Sequence, residues 1–144
     1  MVAVALASLA AMVVGCSLLG PRTFELTLPH NEVPLLVRMT DTTGTVDRLE
    51  LPAGNIPQAV IGKEIVVGLD GRPDALAIGW LGGMCDQAVD IELRAGSAPM
   101  LTLREERRMG GCELTGLSRF VIVVFNTPVD ARQFRLEVVP VPVP

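Results

Sequence analysis

Short segments in which apolar and polar residues alternate recur along this chain of 144 residues, and they constrain its fold more than any other feature. The clearest alternation lies at residues 24–28, 89–93 and 134–138. A period of two places one face of a β-strand against a core and the other face in solvent. Six further strands are predicted near residues 34–39, 46–51, 64–69, 75–80, 100–104 and 119–125. No long segment has the periodicity of an amphipathic helix.

Turn-forming residues separate these segments. Gly, Pro, Asn and Asp cluster at residues 41–44, 70–73, 96–99 and 126–128, and these residue types favour the backbone conformations of tight turns. About nine short strands divided by such turns predict an all-β fold. We expect an antiparallel β-sandwich, immunoglobulin-like or jelly-roll, with a small β-barrel as the alternative.

Two segments near the C-terminus depart from simple alternation. Residues 120–125 (Phe-Val-Ile-Val-Val-Phe) are apolar on both faces, which predicts a central strand covered on both sides rather than an exposed binding strip. Residues 140–144 carry proline at alternate positions. Because proline has no N–H to donate to a sheet, we predict an extended tail there.

The N-terminal residues have a different character. Residues 1–11 carry no charged side chain and consist of Met, Val, Ala, Leu and one Ser, as in the apolar core of a secretory signal. The next residues include Val13-Val14-Gly15-Cys16, which resembles the lipobox of bacterial lipoproteins. The resemblance implies cleavage before Cys16 and attachment of lipid to its sulfur. The chain departs from the usual pattern in having no Lys or Arg before the apolar run.

Three other interpretations of this segment stay open. Residues 1–19 are about long enough for an uncleaved membrane-spanning anchor, an ordinary cleaved signal is an alternative, and Cys16 can be an incidental thiol. In all but the last case the domain lies outside the cytoplasm, at the cell membrane or envelope. The lipoprotein interpretation divides the chain into a signal peptide at 1–15, a lipidated N-terminus and linker at 16–21, one β domain at 22–139 and the Pro-rich tail.

The three cysteines fit the same interpretation. With Cys16 assigned to lipid, Cys85 and Cys112 remain as an even pair, which an exported chain is expected to oxidise. The bridge would close a loop of 28 residues and add about 3–4 kcal/mol by constraining the unfolded chain. A metal site is disfavoured because the two thiols lack a near partner and His30, the only histidine, is distant in sequence. We predict no cofactor.

The segments around Cys85 and Cys112 are similar, since each has paired glycines and a methionine before the cysteine and an acid after it. A disulfide would bring Asp86 and Glu113 near each other, with Trp80 at the end of the preceding strand. One interpretation is a binding rim in which Trp80 is an apolar platform and the two carboxylates are polar contacts or a cation site. The interpretation that we favour packs Trp80 on the disulfide in the core and leaves both acids in solvent.

Charge and motifs narrow the function. The formal net charge of −4 argues against nucleic acid, whose binding requires clustered positive charge. A Ser-His-Asp triad could use only His30, and the sequence contains no Gly-x-Ser-x-Gly segment to supply the serine, so no catalytic triad is predicted. We favour a membrane-tethered lipoprotein that binds an envelope protein, polymer or small ligand without catalysis. The alternative is an envelope hydrolase whose carboxylates the sequence does not place. A solvent-exposed apolar patch without convergent ionisable groups would support the first function. A concave pocket that holds carboxylates with raised pKa values would support the second.

Overall fold

A computed structural model describes residues 20–29, 34–52, 58–83, 86–108 and 116–143. Its strands are β1 Arg22–Leu28, β2 Leu35–Asp41, β3 Val46–Glu50, β4 Ile65–Leu69, β5 Arg72–Gly82, β6 Ala88–Arg94, β7 Met100–Arg108, β8 Leu117–Phe125 and β9 Arg135–Val143. Two single-turn 3-10 helices lie at Gln58–Val60 and Ala131–Gln133. Each predicted segment overlaps one strand, so the prediction of an all-β fold is confirmed.

The strands form two sheets that pack face to face. The larger sheet has the order β1-β2-β6-β7-β9, and the smaller sheet has the order β3-β8-β5-β4. In the described part of the chain neither sheet closes on itself, so the fold is a sandwich and not a barrel.

The larger sheet is mixed, whereas the sequence predicts antiparallel pairing. β2 pairs with β6 in parallel, and so does β7 with β9; the other described pairs are antiparallel. The route of the chain explains the difference. Three strands separate β2 from β6 and one separates β7 from β9, and all of these lie in the smaller sheet. Because each strand reverses the chain direction, an odd number of them returns the chain in its original direction.

The two ends of the sandwich differ. We call the end where β1 begins the N-terminal end, and the end where β9 stops the C-terminal end. The connections at the N-terminal end are β2–β3, β4–β5, β6–β7 and β8–β9, and each contains or overlaps one of the four predicted turns. Gly44 and Gly71 have φ values of 73° and 74°, a left-handed conformation that favours glycine.

The core lies between the sheets. The predicted alternation is observed in β6, where Val89, Ile91 and Leu93 are buried. The core cluster also includes residues of both sheets, among them Val37, Met39, Leu76, Ile78, Trp80, Leu101, Leu103, Val121 and Val123. The sequence pattern therefore identifies the inner face of β6.

β8 is a central strand covered on both faces, as predicted. It lies between β3 and β5, and Ile122 and Val124 are buried on its outer face. Arg72 of β5 donates from Nη1 to Glu50 Oε2 of β3 at 2.7 Å. Because β8 separates these two strands, the ion pair spans the outer face of β8.

The Pro-rich end of the chain differs from the predicted tail. β9 continues to Val143 and pairs with β7 along its length. β9 is an edge strand, so alternate residues direct their N–H away from β7. Pro140 and Pro142 fit such positions, where a missing N–H costs no hydrogen bond in the sheet. Pro144 lies outside the described residues.

Candidate functional site

Trp80 and Asp86 of the predicted binding rim are both buried. Trp80 is 0% exposed and belongs to the core cluster, and Asp86 is 3% exposed. A buried indole does not present a surface platform to a ligand, so Trp80 is a core residue, while its packing on a disulfide stays a prediction because Cys85 and Cys112 lie outside the described residues. The same interpretation places Asp86 in solvent, and for that residue it is wrong. Glu113 lies outside the described residues.

The buried Asp86 side chain binds the backbone just after the end of β5. Its carboxylate accepts a hydrogen bond from the Gly83 N–H. Arg119 donates from Nη2 to the Gly83 carbonyl oxygen at 2.8 Å. Arg119 lies directly opposite Trp80 in the β5–β8 register and is 6% exposed. The start of β8 is therefore tied to the β5–β6 connection by buried polar groups.

Charge balance around Arg119 involves a second carboxyl group. Burial lowers the pKa of the Arg119 guanidinium, while Asp86 and then Glu105 act to raise it. Glu105 is fully buried on β7. Because arginine stays protonated in proteins, the charge of Arg119 lies near the carboxyl groups of Asp86 and Glu105 among the described residues at the C-terminal end of the core. We call Arg119, Asp86 and Glu105 the Arg119 cluster.

Gly82 leaves room for this cluster. A Cβ atom at Gly82 would lie 2.6 Å from Arg119 Nε and 2.9 Å from Asp86 Oδ2, which is closer than van der Waals contact allows. Glycine is required here because a side chain would not fit. Its backbone φ is not in the left-handed region, so conformational freedom is not the reason.

A second candidate site lies between the sheets at the N-terminal end. It is a cavity of about 270 Å³. Apolar side chains form most of its wall: Leu93, Ala95, Pro99, Phe125, Val129 and Phe134. Its polar lining groups are uncharged: Thr43, Thr45, Thr127 and Gln133. None of the described residues that line this pocket is ionisable. We call it the N-terminal pocket.

The aromatic wall of the N-terminal pocket joins the two sheets. Phe125 ends β8 in the smaller sheet, and Phe134 precedes β9 in the larger sheet. Their ring centroids lie 5.5 Å apart with the planes at 56°, a tilted geometry that favours contact between aromatic rings. The Val129 N–H donates to the Pro73 carbonyl oxygen at 2.9 Å, which fixes the β8–β9 connection against the start of β5.

Asp41 fixes the polar side of the N-terminal pocket. This buried carboxylate accepts hydrogen bonds from the backbone N–H groups of Thr43 and Val46 at 2.8 and 2.9 Å. Side chains of Asp hold turns in this way. The hydroxyl oxygens of Thr43 and Thr45 lie 2.6 Å apart. The β2–β3 turn is therefore a defined border of the pocket.

The chain enters the sandwich beside that turn. Arg22, the first residue of β1, lies opposite Asp41 in the register and donates from Nη1 to the Val46 carbonyl oxygen at 3.0 Å. The guanidinium carbon of Arg22 lies 5.1 Å from the centre of the Phe24 ring. The start of β1 is thus bound to the turn that borders the N-terminal pocket.

Several predicted residues lie outside the described part of the chain. Cys16, His30, Cys85 and Cys112 are among them, so lipidation and the disulfide stay predictions. In the described ranges no group of three or more Cys, His, Asp or Glu side chains is arranged to hold a metal ion. No helix within those ranges has the length and hydropathy to cross a membrane.

Sequence reasoning missed both the N-terminal pocket and the role of Arg119. The signal for Arg119 was its position, because the period of two puts it on the same face of β8 as Val121 and Val123. A charged residue in line with core residues needs buried partners. For the pocket, the only local signal was the cluster of turn residues at 96–99 and 126–128.

The two sites differ in chemistry. The Arg119 cluster is closed to solvent and holds backbone connections together. The N-terminal pocket has exposed residues at its mouth, including Thr45, Ala95 and Thr127, and can admit an uncharged ligand. Comparisons of the chain with known protein families, curated proteins and solved structures found no match.

Proposed function

We propose that this chain is a membrane-tethered lipoprotein of a bacterial cell envelope, whose sandwich binds a ligand or partner without catalysing a reaction. The observation that carries the proposal is the uncharged lining of the N-terminal pocket. Catalysis by proton transfer or nucleophilic attack requires a titratable group, and a threonine hydroxyl requires an adjacent base. None of the described lining residues is titratable. The Thr43 hydroxyl does donate to the Asp41 carboxylate at 2.6 Å, but Asp41 is buried and also accepts hydrogen bonds from the backbone N–H groups of Thr43 and Val46, so it holds the turn. The buried carboxylates of Asp86 and Glu105 lie at the opposite end, so they do not favour a hydrolase.

The proposed tether is the lipid on Cys16. A protein held by two or more acyl chains stays on a membrane stably, whereas a single chain binds marginally. β1 begins six residues after Cys16, at Arg22. An extended chain spans at most about 3.6 Å per residue, so this linker is at most about 22 Å long. A lipidated Cys16 would therefore keep the N-terminal end of the sandwich close to the bilayer.

Replacing Cys16 by alanine is expected to move the protein from the membrane fraction to the soluble fraction of a bacterial host. The same change should abolish incorporation of labelled palmitate, because no thiol remains to accept the lipid. Ser17→Ala is the matched control and should leave both properties unchanged. Palmitate labelling that persists in the Cys16→Ala protein, or that is absent from the wild type, would contradict lipid tethering at Cys16.

The proposal includes a disulfide between Cys85 and Cys112. Its support is topological, because the β5–β6 and β7–β8 connections both lie at the C-terminal end of the sandwich. The hydrogen bond from Arg119 to the Gly83 carbonyl oxygen also brings β8 against the β5–β6 connection. A bridge here would join two connections that the strands already bring to one end.

Both thiols are expected to resist alkylation in the unreduced, denatured protein. Mass spectrometry should show two alkyl groups on Cys85 and Cys112 only after reduction. A Cys85→Ser variant provides the control, since it should expose the Cys112 thiol without reduction. Full alkylation of both residues in the exported protein before reduction would show that the bridge does not form.

A further inference from the structure

We infer that the N-terminal pocket binds a hydrocarbon chain of a membrane lipid. This inference rests on the proposed function, because the tether at Cys16 is what brings the pocket to the bilayer.

The lining of the pocket selects against charge. Transfer of a charged group from water into a site without a partner is strongly unfavourable, and among the described lining residues none is ionisable. Leu93, Phe125 and Phe134 instead offer apolar surface, which favours methylene and methyl groups. The polar lining groups include Thr45 and Thr127, which are exposed. Polar ester groups of a ligand can therefore stay at the mouth while its hydrocarbon lies inside.

The size of the pocket favours a slender group. Sites that enclose drug-sized molecules have volumes of about 300–1,000 Å³, and this cavity of about 270 Å³ is smaller. A segment of one aliphatic chain needs little width, and the rest of the lipid can stay outside. A folded peptide or a branched polymer would require a larger cavity.

The position of the pocket favours the membrane as the source of the bound hydrocarbon chain. Arg22 donates to the carbonyl oxygen of Val46, the first residue of β3, and Thr43 and Thr45 of the preceding β2–β3 turn line the pocket. The linker from Cys16 therefore approaches the sandwich next to the pocket. With a linker of at most about 22 Å, the pocket lies at the end of the domain that is held nearest to the lipid.

Photocrosslinking in membranes tests the inference. The full-length mature lipoprotein is reconstituted into phosphatidylcholine vesicles that contain a phospholipid with a diazirine at the end of one acyl chain. After illumination, we expect crosslinked peptides that contain Leu93 or Phe134. Ala95→Trp places a large side chain at the mouth and should lower this crosslinking at least about tenfold, which corresponds to about 1.4 kcal/mol of binding free energy.

Two further variants keep the test interpretable. Thr127→Glu introduces a charge at the mouth and should cause a similar loss, so the result does not depend on one bulky substitution. Ala59→Trp is the matched control, because Ala59 is exposed and does not line the pocket. Its crosslinking should equal that of the wild type. Thermal unfolding of each variant verifies that the fold is retained.

Vesicle flotation in the same samples separates the two claims. Protein that floats with the vesicles but crosslinks equally in the wild type and Ala95→Trp would overturn the pocket inference and leave the tether intact. Protein that does not float would contradict the tether. If protein that does not float still crosslinked a diazirine-labelled fatty acid in solution, the inference that the ligand comes from the membrane would be overturned as well.

Discussion

Replacing Trp80 by alanine is expected to lower the free energy of unfolding by about 3–5 kcal/mol, the usual cost of removing a large aromatic side chain from a core. Trp80 is 0% exposed and is the largest fully buried side chain among the described residues. Its removal forfeits contacts and leaves a cavity that neighbouring strands fill only in part. Because single domains unfold with about 5–15 kcal/mol, the loss takes a large share of the total.

Chemical denaturation followed by circular dichroism measures this effect, since Trp80 is the only tryptophan and its fluorescence is lost in the variant. Trp80→Phe should recover part of the stability because it keeps an aromatic ring. Leu51→Ala is the surface control: Leu51 is 42% exposed, and the change should cost less than about 0.5 kcal/mol. A Trp80→Ala protein as stable as the Leu51 variant would show that the indole does not pack in a core.

Arg119→Met is expected to cost about 3–5 kcal/mol, the effect of removing one member of a buried charged group. Methionine keeps much of the length of the side chain but supplies no positive charge to Asp86 and Glu105. It also removes the hydrogen bond to the Gly83 carbonyl oxygen. The loss therefore combines unbalanced buried charge with an unsatisfied backbone acceptor.

A double-mutant cycle identifies the cause. If Asp86 and Arg119 interact, Asp86→Asn should cost less stability in the Arg119→Met background than in the wild type. Arg132→Met is the matched control, because the Arg132 side chain is 90% exposed and pairs only with Asp130 in the described salt bridges; little change is expected. Additive effects of Asp86→Asn and Arg119→Met would contradict a coupled cluster.

The strands were predictable from the sequence, but the pairing of strands in the larger sheet was not. Alternation and turn residues are local signals, and they correctly located segments such as 89–93 and the turn at 41–44. The parallel contact of β2 with β6 depends on three strands that cross into the other sheet. No residue of β2 or β6 by itself encodes that path, so antiparallel pairing was the expectation.

The sites were predictable only in part for the same reason. The preferred interpretation of Trp80 as a core residue needed only its position at the end of an apolar strand. The burial of Asp86 was missed because it depends on Arg119, which the fold brings over from β8. The N-terminal pocket combines the β2–β3, β6–β7 and β8–β9 connections, which are far apart in sequence. Its apolar character arises from their assembly and not from any one motif.

The mass of the N-terminal tryptic peptide tests most directly whether Cys16 is the lipidated start of the mature chain. No Lys or Arg lies between Cys16 and Arg22, so trypsin releases residues 16–22 as one peptide from a mature chain that begins at Cys16. For protein extracted from membranes we predict a peptide of residues 16–22 that carries a diacylglyceryl group on Cys16. An unmodified peptide that extends N-terminal to Cys16, or a peptide of residues 16–22 without lipid, would contradict the proposed tether.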